Sequence, residues 1–228
     1  MLNVAISENY RHKIMTFIVR KKHMNLQNLI AITCFTLLPL SGKGLSAIAA
    51  ETQPENKTFG DRCRKKASLS PEARHNVEVM LKEAGTTECD AANRKLSSLT
   101  ELTLDNNKIS DIKPLQSLTN LIGIGLNNNE ISDIKPLQSL TNLIALSLGK
   151  NKISDIKPLR SLTKLSSLAL SNNKISDITP LKSLTNLTQP FLDNNQITDI
   201  TPLQFLTKLS VLFANNNKIS NTTFAVFD

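Results

Sequence analysis

The chain has 228 residues, 4% of them aromatic and none of them Trp, so leucine and isoleucine must carry whatever core it builds. That length allows one sizeable domain with extras, and that composition argues against a compact aromatic-rich enzyme core. A net charge of +8 invites a nucleic-acid partner, but six Lys/Arg against the single Glu8 fall in residues 1–50 and the rest is nearly balanced, which sets nucleic acid aside.

Those first residues read as an export segment. Arg20, Lys21 and Lys22 precede an apolar run from Leu29 to Leu40, and Ala47-Ile48-Ala49-Ala50 follows. A basic stretch, a short apolar run and a small-x-small site are what a signal peptidase reads. The run is shorter than the roughly 20 apolar residues that span a bilayer. Residues 1–49 are therefore expected to be a signal peptide, with Met15 the candidate start because it keeps the basic cluster that Met24 would discard. The alternative is an uncleaved signal anchor. On cleavage the protein would be extracytoplasmic, with no stable transmembrane span.

Residues 50–98 read as a helical N-terminal cap, beginning with a polar and flexible stretch over 51–60. Ser70 is set up as an N-cap, Pro71 as the first helical residue and Gly85 as the stop. Ala73, Val77, Met80, Leu81 and Ala84 give that helix one apolar stripe. A second short helix is expected from Asp90 to Lys95. Cys63 and Cys89 flank the first helix, and in an oxidising compartment they should pair. Two free buried thiols would be the outcome in the cytoplasm. His75 stands alone and no Cys-x-x-Cys pair exists, so no metal site is expected.

From Leu99 the chain repeats every 22 residues: Leu99, Leu121, Leu143, Leu165, Leu187 and Leu209 open six units, the last incomplete. Asn107, Asn129, Asn151, Asn173, Asn195 and Asn217 recur eight positions on, and "DIxPL" recurs in five units. The phrase L-x-x-L-x-L-x-x-N-x-I-S-D-I-x-P-L-x-x-L-T-N resembles the leucine-rich repeat of the internalin type, over residues 99–228. The resemblance implies an α/β solenoid with a curved parallel sheet on the concave face and short 3₁₀ or helical turns on the convex side. It also implies a role in binding macromolecular partners.

The residues support that geometry by themselves. Leu146 and Leu148 alternate with Ala145, Ser147 and Gly149 as a strand, and Ile153, Ile156, Leu159 and Leu162 return along the inside. The Asn column is read as a structural ladder bonding the turns of adjacent units. Asp155 and its equivalents are read as N-caps of the turn containing Pro158. A calcium ladder of these Asp residues fails, because calcium gathers six to eight oxygens and each Asp here stands one stacking step from the next.

Function is then expected in the outward columns of the strands. One reads Glu101, Gly123, Ala145, Ser167, Gln189, Val211; the next reads Thr103, Gly125, Ser147, Ala169, Phe191, Phe213. The candidate partner-binding residues are Glu101, Gln189, Phe191, Val211 and Phe213, with the two Phe predicted to be neighbours. An equally simple role for that pair is to cover the end of the array. Pro190 breaks a Leu/Ile column, and Phe224 and Phe227 could fold back as a minimal cap. No nucleophile with its base and no phosphate-cradling loop is found. The expectation is a non-enzymatic, exported binding module without cofactor or small-molecule substrate, its partner a protein or a cell-envelope component. Alternatives are an intracellular regulator of an enzyme such as a phosphatase, and a structural or adhesion element of the envelope.

Overall fold

The structure is a computed structural model and describes residues 58–220. The export segment and the fold-back of Phe224 and Phe227 lie outside the described residues.

Three helices precede the repeats: α1 (Phe59–Arg64), α2 (Pro71–Ala84) and α3 (Cys89–Ser98). The first corrects the expectation of a flexible stretch to residue 60. Thr58 Oγ1 accepts from Asp61 N at 3.2 Å while Asp61 Oδ2 accepts from Thr58 N at 3.0 Å, a reciprocal box that fixes the helix start. Phe59 is fully buried behind it. Thr58 Oγ1 also donates to Asp61 Oδ2 at 2.8 Å, and this hydroxyl, together with the Thr58 backbone N–H, holds the Asp61 carboxyl below its ordinary value.

Helix α2 starts and stops where its sequence directs. Ser70 accepts from Ala73 N, Pro71 opens the helix, and Gly85 closes it at φ 64°, a left-handed conformation that favours glycine. Val77, Met80, Leu81 and Ala84 are buried. Helix α3 runs longer than the expected Asp90–Lys95. Cys63 and Cys89 are joined by a disulfide, Cα–Cα 5.5 Å, tying α1 to the start of α3. Closing a loop of 26 residues stabilises the fold by about 3–4 kcal/mol through the unfolded chain.

The helices seal the first repeat with polar contacts as well as apolar ones. Asn76 Nδ2 donates to Asp111 O at 2.9 Å, and Asn120 Nδ2 reaches back to Ser97 O at 2.8 Å. His75, alone in the sequence, is not alone in space: its Nε2 lies 2.7 Å from Asn107 O.

Five parallel strands follow in chain order: β1 (Glu101–Thr103), β2 (Gly123–Gly125), β3 (Ala145–Ser147), β4 (Ser167–Ala169) and β5 (Gln189–Phe191). Their register aligns Leu102, Ile124, Leu146, Leu168 and Pro190 as one inward row. Between strands, 3₁₀ turns at Lys113–Ser117, Lys135–Ser139, Lys157–Ser161, Thr179–Ser183 and Thr201–Phe205 form the convex side. Ile153, Ile156, Leu159 and Leu162 are at most 1% exposed, and their equivalents in other units continue one shared core.

Three devices hold the turns. Asn173 shows the first: its Oδ1 accepts from Ile153 N at 3.0 Å, and its Nδ2 donates to Leu148 O and Leu170 O at 2.9 Å each. Asn129, Asn173 and Asn195 are buried, while Asn107, Asn151 and Asn217 are half-buried. The second is the residue before each of these: Asn106, Asn128, Lys150, Asn172, Asn194 and Asn216 take positive φ of 53–62°. Asn tolerates that left-handed region better than other non-Gly residues, which explains the recurring Asn-Asn doublets. The third is the Asp column, which differs from expectation by one position. Asp155 Oδ1 accepts from Lys157 N at 2.9 Å, so it closes a local turn into the 3₁₀ segment, and Ile156 occupies the N-cap position.

Candidate partner-binding site

The outward residues of the strands form a surface whose character changes along the array. At the first strand Glu101 and Thr103 are exposed. Across β2, β3 and β4 the same two columns offer only Gly123, Gly125, Ala145, Ser147, Ser167 and Ala169, a floor without charge or bulk. At β5 and beyond stand Gln189, Phe191, Val211 and Phe213, all half-buried. The two Phe rings stack with centroids 4.6 Å apart and planes 5° from parallel.

Gln189, Phe191, Val211 and Phe213 therefore come together, and Glu101 does not join them. Strands β2, β3 and β4 stand between. Glu101 stands instead on the first strand, with Asp105 four residues further along the chain. The carboxylate of Asp105 is engaged by the next unit, accepting from Asn127 N at 2.6 Å.

The backbone beneath the aromatic pair explains its setting. Pro190 lies between Gln189 and Phe191 and is buried in the Leu/Ile column. Its carbonyl accepts from Phe213 N at 3.3 Å, so its nitrogen faces the same sixth unit, and that nitrogen carries no hydrogen. Pairing there shrinks to the single bridge Phe191↔Phe213, reinforced by Leu192 N to Phe213 O at 2.6 Å. Leu209, Leu212 and Ile219 are only partly buried.

Some surface features escaped the sequence reading. Ile122 and Ile144, at the entry to β2 and β3, are 41% and 44% exposed in a column otherwise held by Thr100, Ser166, Thr188 and Ser210. Their period-22 alignment was visible, but their direction was not, because the chain kinks there: Ile122 N and Gly123 N both donate to Thr100 O. A second Asn ladder was also missed. Asn142 and Asn186 Nδ2 donate to Thr119 O and Thr163 O, and Lys164 and Lys208 Nζ donate to the Oδ1 atoms of those two Asn. The repeated "TN" and "TK" phrases were its signal.

Among the described residues no group of three His, Cys, Asp or Glu could hold a metal ion, and no helix is long and apolar enough to cross a membrane.

With this geometry in view, the comparisons are consistent. The family described as leucine-rich repeats in two copies matches residues 97–139, 119–161 and 141–183. Internalin C2 of Listeria monocytogenes is similar at 32% identity and TM-score 0.58, over 63% of this chain and 65% of that one. Internalin F of the same organism is similar at 32% identity and TM-score 0.61, over 68% of this chain and 48% of that one. The chain thus spans less than two thirds of either internalin structure. The LRIM1/APL1C complex shares the fold alone, at 20% identity and TM-score 0.50, over 54% of this chain and 24% of that one. No curated protein sequence matches the chain. The 22-residue period, the parallel sheet with its 3₁₀ turns, and these likenesses agree: the chain carries a leucine-rich repeat solenoid of the internalin type.

Proposed function

We propose that this is an exported, non-enzymatic binding module that holds a protein partner on its concave face, with Gln189, Phe191, Val211 and Phe213 as the anchoring patch. The observation that carries this reading is the half-exposed Phe191–Phe213 stack at the end of an otherwise smooth floor. Aromatic side chains that present rigid apolar area at low entropy cost are the usual anchors of protein interfaces. Gly123, Gly125 and Ala145 let a partner's backbone approach the sheet closely beside that anchor. The Cys63–Cys89 bond supports export, since such bonds persist in oxidising compartments.

Two measurements test the reading. Phe191→Ala with Phe213→Ala should sharply reduce capture of its partners by the immobilised protein; undiminished capture would remove the patch from consideration. The unreduced mass of protein recovered from producing cells should begin near Ala50 and be two hydrogens light. A full-length mass with free thiols would move the protein inside the cell.

A further inference from the structure

Charge in the repeat region is unevenly shared between its surfaces. On the convex side the lysines of the first three turns each follow an Asp by two residues, and Asp133, Lys135, Asp155 and Lys157 line one shallow depression together. Over these three turns carboxylates and lysines match in number, and that stretch neutralises itself. The edge where the chain leaves each strand does not. Its outer column reads Lys108, Glu130, Lys152, Lys174, Gln196, Lys218, and Lys150 stands beside it. These five lysines are exposed, and the one carboxylate of the column, Glu130, is bonded by Lys152 at 2.7 Å. Among the described residues, Lys108, Lys150 and Lys174 form no ion pair.

Lys150 carries a second observation. It sits at φ 55° in the column that Asn occupies in all five other units. Asn is the better-suited residue there, so lysine departs from the pattern without a packing reason, its side chain being exposed. It stands three residues beyond Ser147 of β3, where the uncharged floor meets the edge.

We propose that this lysine edge docks an acidic segment of the protein partner, a run of Asp and Glu lying along the array at about 5 Å per unit. The proposal rests on the protein-binding reading above and adds the chemistry of the partner. Complementary charge of this kind steers association and fixes register.

The test uses the full chain and two triple variants. The edge variant is Lys108→Gln, Lys150→Asn and Lys174→Gln; the convex variant is Lys113→Thr, Lys135→Thr and Lys157→Thr. Each removes three charges, and the substitutes are drawn from the chain's own equivalent columns (Gln196, Asn128, Thr179). The probe is a fluorescent peptide of alternating Glu and Ser, followed by anisotropy at low and high ionic strength, with inorganic polyphosphate run beside it. The expected result is salt-sensitive peptide binding that weakens about tenfold in the edge variant and stays within about twofold in the convex variant. Equal weakening in both variants, or no binding by the unaltered chain, overturns the proposal. Stronger edge-dependent binding of polyphosphate than of peptide overturns the acidic-protein assignment. The peptide assay does not need Phe191 or Phe213, so failure of the anchoring patch and failure of this edge are separately readable.

Discussion

The two ends of the repeat array are built on different terms. At the first end three helices cover the opening, a disulfide ties two of them, and Asn76 is 2% exposed while donating into the first turn. At the other end the sixth unit contributes one bridge, with Leu209, Leu212 and Ile219 only partly buried. Between them each unit is covered on both sides and buries its isoleucines and leucines almost completely. The difference teaches that a residue's worth in a solenoid depends on having neighbours on both sides, since stability is a sum of unit and interface contributions. The same Asn column demonstrates it: the Asn173 side chain bonds the turn of the preceding unit as well as its own, whereas the Asn107 side chain, with no unit before it, donates only to Asp105 O at 3.0 Å.

The largest expected effect is on the sealed end. Cys63→Ser with Cys89→Ser should lower unfolding free energy by about 3–4 kcal/mol, read by denaturant titration. A loss below about 1 kcal/mol would mean that packing alone holds the helices. Next comes the interior ladder. Asn173→Ala leaves the buried Ile153 N–H unpaired and should cost about 3 kcal/mol. Asn217→Ala, at the half-buried end of the same column, should cost about 1 kcal/mol because water can replace its bonds. Equal losses would break the comparison between the buried interior of the column and its half-buried position in the sixth unit.

A smaller gain is expected where the array weakens. Pro190→Leu restores a core side chain and a donor aimed at the sixth unit. It should raise the melting temperature by about 2–4 °C, with slower hydrogen exchange over residues 209–213. An unchanged melting temperature would show that the sixth unit is splayed for reasons other than the proline.

Much of this was legible because repetition multiplies weak signals. One Asn eight residues past a Leu means little; six in phase define a column, and the inward Leu and Ile rows follow from it. Helix α2 was legible from Ser70, Pro71 and Gly85, each with its own backbone reason. What escaped was local or three-dimensional. Helix α1 is six residues long and depends on Thr58 and Asp61 closing a box, too short for a periodic signal. The cap was placed one residue too early, on the Asp and not on the Ile after it, since an Asx turn and an N-cap share the same sequence. At the candidate site the adjacency of Phe191 and Phe213 followed from period 22, and the stacking of their rings did not. The half-burial of both rings, the separation of Glu101 and the outward Ile122 and Ile144 depend on how each chain enters its strand.

The smallest expected effect is on pH dependence, and it contrasts the cap with the array. Asp61 in the cap is held below its ordinary value by the Thr58 hydroxyl and backbone, and Asp177 in the array by the hydroxyl and backbone of Thr179. A carboxyl lowered in the folded state contributes stability above its unfolded value, and that share is lost as pH falls through the folded value. Acidification from neutral through the ordinary carboxylate range should therefore lower the melting temperature. Thr58→Ala and Thr179→Val should each lower it at neutral pH and shrink the further drop in acid, because the hydroxyl's part of what acid would remove is already gone while the backbone N–H bond remains. Melting curves at neutral and acid pH check both variants. A full-sized acid drop in Thr58→Ala would mean that the box at Asp61 adds nothing to the sealed end beyond the disulfide.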